Sequence, residues 1–344
     1  MKILFCLVEY VGGNKKFGES IEEKYWVDPL KELGHDVYIF KIDDYLYGDG
    51  LKNKDDDGLL FEYVKSINPD WIFLNDYNNL NIKDSTWKSI NDLGIKTSCW
   101  FGDDNHLYEV YSRNKAKNFT HPITCDYFAV DKYLKNEYEN IILSQWGTIN
   151  YDLIEEVQVD CLGYDATFVG TFSHYRKFIY DYLVNEGLKV KFYGNGWDGG
   201  KVSIGEMKYI FAHSKINLNL EKIATNYDVR YLIKNPKRIA RIFVNYLLKK
   251  REIHTQIKAR PFEIASCKGF QISEYAMMLE NYFSFHDEIK IFYNVSELAM
   301  LIKYYKDRSN ERLMMSEKAY HRVMNEHLMK HRLNNVIKKV FNID

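Results

Sequence analysis

The chain has 344 residues, 46% of them hydrophobic and 28% charged, with a formal net charge of −1. This is a globular composition with room for two domains. It excludes a disordered chain and any molecule-wide attraction to nucleic acid or an anionic membrane. The five cysteines (Cys6, Cys99, Cys125, Cys161, Cys267) lie far apart and form no CxxC pair, which argues against a disulfide framework or zinc site and for a reducing compartment.

In chain order, Ile3 to Val8 is a continuous apolar run, the mark of a strand buried on both faces. It is too short for a signal segment or a membrane span, and no later stretch is long enough, so a soluble, cytoplasmic protein is expected. A helical stretch carrying Ile21, Tyr25, Trp26 and Leu30 stops at Gly34, and Val37 to Ile42 reads as the next strand. Asp55, Asp56 and Asp57 open a helix through Leu59 to Ile67 and suit its dipole; they do not follow a buried strand, as a metal–diphosphate motif would. Trp71 to Leu74 and Ile95 to Phe101 are further strands, and Tyr127 to Val130 and Ile141 to Leu143 read as short ones.

The pattern restarts after about residue 160. Strands at 166–169, 190–193 and 216–220 alternate with helices at 175–185 and 204–213. A helix near 261–267, strands near 269–273 and 289–293, and terminal helices follow. Strand–helix alternation means parallel α/β units, and two starts mean two sheets. The expected fold is α/β, with two Rossmann-like domains facing across a cleft. The expected divisions are 1–150, 160–325 with a basic helical insertion at about 222–257, and a C-terminal helix at 326–344. In such sheets ligands bind at the carboxyl ends of the strands.

Several strand ends carry candidate chemistry. Gly170, with His174 and Arg176 close behind, forms either an ordinary strand-to-helix turn or one that lets backbone approach a phosphate. Gly194-Asn195-Gly196 marks a turn needing positive φ, with Trp197 either stacking on a base or packing. In Arg260-Pro261-Phe262-Glu263, Pro261 suits a helix start. Arg260 stands where phosphate would sit, and Glu263 either accepts from ribose hydroxyls or only matches the dipole. Glu274 ends the next strand as a second possible ligand contact. Asp103, Asp104 and His106 follow the strand ending at Phe101 and are general-base candidates or helix caps; His106 alone is no metal-ligand set.

Residues 228–260 hold ten Lys or Arg against Asp228 and Glu252. Ile239, Ile242, Phe243, Tyr246 and Leu247 share one helical face, making a basic amphipathic helix after Asn235-Pro236. It is either a solvated helix or a surface for an acidic acceptor, nucleic acid or a membrane.

Together, Trp100-Phe101-Gly102-Asp103-Asp104, Phe168-Val169-Gly170-Thr171, Tyr193-Gly194-Asn195-Gly196-Trp197, Ser214 to Asn219 and Arg260-Pro261-Phe262-Glu263, in this order, resemble the CgeB-like (spore-maturation) proteins within the GT-B glycosyltransferases. So does the ending through Tyr304, Arg312, Arg322, His327 and Arg332. The resemblance implies a hexosyltransferase-type activity on a nucleotide-diphosphate sugar, with the donor in the second domain and the acceptor, a protein or glycan, on the first. It implies no cofactor and no obligatory metal. Arg260 would neutralise diphosphate, Phe262 would belong to the same helix, Glu263 would hold ribose, and the Asp103-Asp104 loop would face the reaction centre. The thirty residues before Arg260 and the Cys267-Lys268 pair depart from the family pattern. The other readings are a non-catalytic nucleotide-sugar-binding or coat protein and a nucleic-acid base glycosyltransferase recruited by the basic helix. A Rossmann oxidoreductase is a weaker fit, because Gly12-Gly13 is not a G-x-G-x-x-G turn.

Overall fold

The computed structural model describes residues 1–43, 56–75, 82–220, 229–247 and 255–343. The chain divides into two compact units, Met1–Ile149 with Met329–Asp344, and Asn150–Leu328. Each is built on a parallel sheet, so the fold class is α/β.

The first unit holds β1 (Lys2–Leu7), β2 (Asp36–Lys41), β3 (Trp71–Asn75), β4 (Lys96–Phe101), β5 (Ile123–Thr124) and β6 (Ile142–Leu143) in the order β2-β1-β3-β4-β5-β6. Strands β1 and β3 are the interior of the sheet, and their side chains are buried on both faces. One face packs Phe5, Trp26, Phe73 and Trp100 ring on ring, with the Trp26–Trp100 centroids 4.9 Å apart. Leu4, Cys6, Ile72, Leu74 and Trp87 fill the other. Burying each such side chain stabilises the unit by about 1.5–3 kcal/mol.

Tyr127–Leu134 is a helix, not the strand expected from its apolar start. Asp126 caps it by accepting from the Phe128 backbone N–H at 3.1 Å, which satisfies a donor that a strand would have needed in the ladder. The strand role passes to Ile123–Thr124 just before it. Asp55 of the acidic run lies outside the described residues, and the helix there is Asp56–Ile67. The terminal helix Met329–Phe341 packs in the first unit, where Lys330 pairs with Glu32 at 3.6 Å and the Met329 N–H donates to the Thr148 carbonyl.

The second unit holds β7 (Ala166–Val169), β8 (Val190–Tyr193), β9 (Asn217–Asn219), β10 (Gln271–Glu274) and β11 (Lys290–Phe292) in the order β11-β10-β9-β7-β8. Its helices begin with local caps. Ser173 accepts from the Arg176 N–H to start His174–Asn185, and Ser203 with Glu206 forms a reciprocal capping box on Ile204–His213. Between β9 and β10 come Val229–Ile233, Pro236–Leu247 and Arg260–Ser266. Gly269 is needed for close approach: a Cβ there would sit 2.5 Å from the Phe211 carbonyl oxygen. The left-handed residue ending the preceding helix is Lys268, at φ 56°, so Gly269 does not serve as the positive-φ stop that its position suggests. No helix among the described residues is long and apolar enough to cross a membrane.

Candidate active site

At the carboxyl ends of β7 and β8 two turns are joined by backbone bonds. The Gly170 N–H donates to the Tyr193 carbonyl and the Phe172 N–H to the Asn195 carbonyl, both at 2.9 Å. Gly194 has φ +119°, and a Cβ on it would lie 2.3 Å from the Gly170 oxygen, so both the conformation and the contact demand glycine. The Trp197 indole N–H donates to that same oxygen at 3.0 Å, and its ring packs against Phe172, Phe192 and Tyr180. Trp197 therefore supports the turn instead of standing out as a stacking platform. Gly196, at φ +87°, lies against Phe172.

Arg176 is buried, 8% exposed. Its Nη1 donates to the Thr171 carbonyl at 2.7 Å and its Nη2 to the Leu220 carbonyl, with the guanidinium over the Phe168 ring. This clamps the turn after β7 to the end of β9. The charge expected to face phosphate is turned onto backbone. His174 is exposed at the first position of its helix, its ring edge-on to Phe172.

The helix Arg260–Ser266 comes just before β10. Arg260 Nη1 lies 2.5 Å from Glu263 Oε2, one turn along, with the two side chains 24% and 7% exposed. The guanidinium also rests over Phe211, and its Nη1 donates to the Met207 sulfur at 2.8 Å. Phe262 points the other way. It is fully buried among Tyr282, Phe283 and His327, because a helix sends adjacent residues about 100° apart. Glu274 ends β10, nearly buried, and beside it Asn219 Nδ2 donates to Ser273 Oγ at 2.8 Å across the β9 and β10 ends. Burial and the nearby Glu263 carboxylate hold the Cys267 thiol well above its usual range.

Thus Gly170, Gly194 and Gly196 shape the turns after β7 and β8, Glu274 puts a carboxylate at the end of β10, and Arg260 and Glu263 pair on the helix before β10. Motif reading missed Met207 and Phe211, the bed on which Arg260 lies. Only the helical spacing of those two, four residues apart, hints that they share a face.

In the first unit, β4 runs into Gly102 and a short helix, Asp104–Leu107. Asp103 is exposed at its cap. Asp104 is 1% exposed and turned inward, accepting from Thr124 Oγ1 at 2.6 Å and Tyr133 OH at 3.0 Å. Burial pushes its carboxyl up to about 6 against the opposing pull of hydrogen bonds from Ser112, Thr124 and Tyr133. His106 is half-buried, with Nδ1 2.8 Å from Asn105 Oδ1. Among the described residues no group of three or more His, Cys, Asp or Glu is placed to hold a metal ion.

Residues 176–338 match the glycosyl transferase-like family. No curated protein sequence matches the chain. Among solved structures it resembles sucrose-phosphate synthase from Thermosynechococcus elongatus, at 8% identity over 99% of each chain and TM-score 0.63. A glycosyltransferase from Rickettsia africae gives 14%, over 100% of this chain and 99% of that one, and 0.62. HepE from Anabaena, in complex with UDP-glucose, gives 10%, over 100% of both, and 0.62. The fold is that of the GT-B glycosyltransferases. At these identities the likeness speaks for the fold. The family match covers most of the second unit and runs into the terminal helix of the first, and every residue of the helix Arg260–Ser266 falls inside it.

Proposed function

We propose that the chain transfers a hexosyl group from a nucleoside-diphosphate sugar to a protein or glycan acceptor, with the donor on the Asn150–Leu328 unit and the acceptor on the other. The observation that carries this reading is the Arg260–Glu263 pair: a partly exposed cation and a nearly buried carboxylate, 2.5 Å apart in the first turn of a helix. The UDP-glucose bound to the HepE structure supports the donor class. Membership of the CgeB-like group rests on the order of the motifs. Five buried cysteines without a disulfide fit a reducing, cytoplasmic setting.

In this mechanism Arg260 faces the diphosphate. As the glycosidic bond breaks, negative charge grows on the leaving phosphate oxygen, and a guanidinium fixed by Glu263 and Met207 stabilises it without reorganising. No step needs a metal. Glu263 accepts from the ribose hydroxyls, Glu274 gives a second polar contact, and the glycine turns at Gly170 and Gly194 leave room for the donor. Asp103 is the base for an inverting reaction, since Asp104 is enclosed and bonded inward. A thermal-shift series with UDP-, GDP- and dTDP-sugars tests the reading, because a bound donor raises the melting temperature. No response to any of them would overturn it.

A second reading, a non-catalytic binding or assembly protein, draws on Arg176, Trp197 and Phe262, all of which serve packing. Donor binding without turnover would favour it.

A further inference from the structure

We propose that the helical hairpin Val229–Ile233 and Pro236–Leu247 is a docking surface for an anionic phospholipid bilayer. Its first helix is anchored. Tyr231 is buried with its ring 5.2 Å from Tyr175 and 5.5 Å from Phe178, and Arg230 Nη2 donates to Ser296 Oγ at 2.9 Å. Asn235 Nδ2 ties the turn by donating to the Tyr231 carbonyl at 2.8 Å.

The second helix is built in the opposite way. Ile239, Phe243 and Leu247 fall at i, i+4 and i+8, and they are 46%, 60% and 62% exposed. Ile233 adds an apolar tip, 69% exposed. In a soluble helix such a stripe is the side that packs inward. Here those side chains stay in water.

Charge selects the occupant. Residues 229–251 contain eight Lys or Arg and no Asp or Glu, in a chain whose net charge is −1. The helical period sets exposed Lys237 more than about 100° round the helix from the middle of the Ile239–Phe243–Leu247 line. Apolar side chains on one face and cations on the other are what a helix lying in a headgroup layer requires: the apolar stripe enters the acyl boundary and the cations meet lipid phosphates. A nucleic acid would use the cations but leave the apolar stripe in water. A second copy would cover the stripe but bring two copies of the same cationic segment together.

Flotation of the full chain with phosphatidylcholine and with phosphatidylcholine–phosphatidylglycerol vesicles tests this. The expected result is partition to the anionic vesicles alone, weakened by salt. Phe243→Asp should lower the partition at least about tenfold, and the double variant Lys237→Glu, Arg241→Glu by on the order of a hundredfold. Phe243 and Lys237 are exposed, and unchanged melting temperatures in both variants would show the fold intact. Equal binding to neutral vesicles, no vesicle binding, or a Phe243→Asp variant that floats like the parent overturns the proposal. So does a concentration-dependent dimer lost in Phe243→Asp, or duplex DNA binding in place of vesicle binding. The nucleotide-sugar melting shift of Phe243→Asp is read separately, so failure here leaves the donor reading standing.

Discussion

Replacing Asp104 with Asn separates a buried structural acid from a catalytic one. The carboxyl sits near 6 in the folded chain against an ordinary value of 3.8, about two units, and each unit corresponds to about 1.4 kcal/mol. A raised acid is stabilising only while it stays protonated. The contribution is whole below the unfolded value and is lost as pH rises from about 4 through about 6, so near neutrality the folded state is about 3 kcal/mol worse off. Asn stays neutral throughout. Its Oδ1 can take the Thr124 and Tyr133 bonds that now go to one oxygen of Asp104, while its Nδ2 must find an acceptor, which reduces the gain. Asp104→Asn should therefore be about 1–3 kcal/mol more stable than the parent near pH 7.5, with the difference vanishing near pH 4. Urea unfolding followed by tryptophan fluorescence across that range measures it. An equal loss of stability at both ends of the range would refute the reasoning. So would abolished glycosyl transfer in a folded variant, because the ionised carboxylate would then be doing chemistry.

Arg260→Ala should lower donor turnover by about a hundredfold or more and cost about 1–3 kcal/mol in a melt, because nearly buried Glu263 loses its partner. Arg260→Lys should recover part of the turnover, and full activity in Arg260→Ala would sink the donor assignment. Asp103→Asn should reduce transfer by about two orders of magnitude or more if the reaction inverts, with the melting temperature unchanged; a change in stability alone would point to a cap. Arg176→Met should cost about 2–4 kcal/mol through loss of the bonds to Thr171 and Leu220, yet keep the nucleotide-sugar melting shift. Loss of that shift would return Arg176 to the phosphate. Gly194→Ala should destabilise by about 3 kcal/mol or more, since it meets both a positive φ and the Gly170 oxygen, and a near-neutral melt would contradict the geometry.

The sequence by itself determined the two parallel sheets, since buried parallel strands must read as continuous apolar runs and their crossovers as helices. It also determined the turns at Gly170 and Gly194 and the helix beginning at Arg260-Pro261, because glycine and proline restrict the backbone locally. Tyr127–Leu134 escaped it: a short apolar run suits either state, and Asp126 capping decides.

Which way a polar side chain faces was not legible. Arg176, Arg260 and Asp104 look alike in sequence, as charged residues at or near helix starts. Arg176 was claimed by carbonyls 5 and 44 residues away, Asp104 by hydroxyls 20 and 29 residues away, and Arg260 by Glu263 one helical turn along and by Met207, 53 residues away. Local chemistry shapes the turns, but a charge buried by folding takes whatever partner the distant chain brings, because leaving it unpaired costs more than any local preference. That choice belongs to the tertiary structure alone.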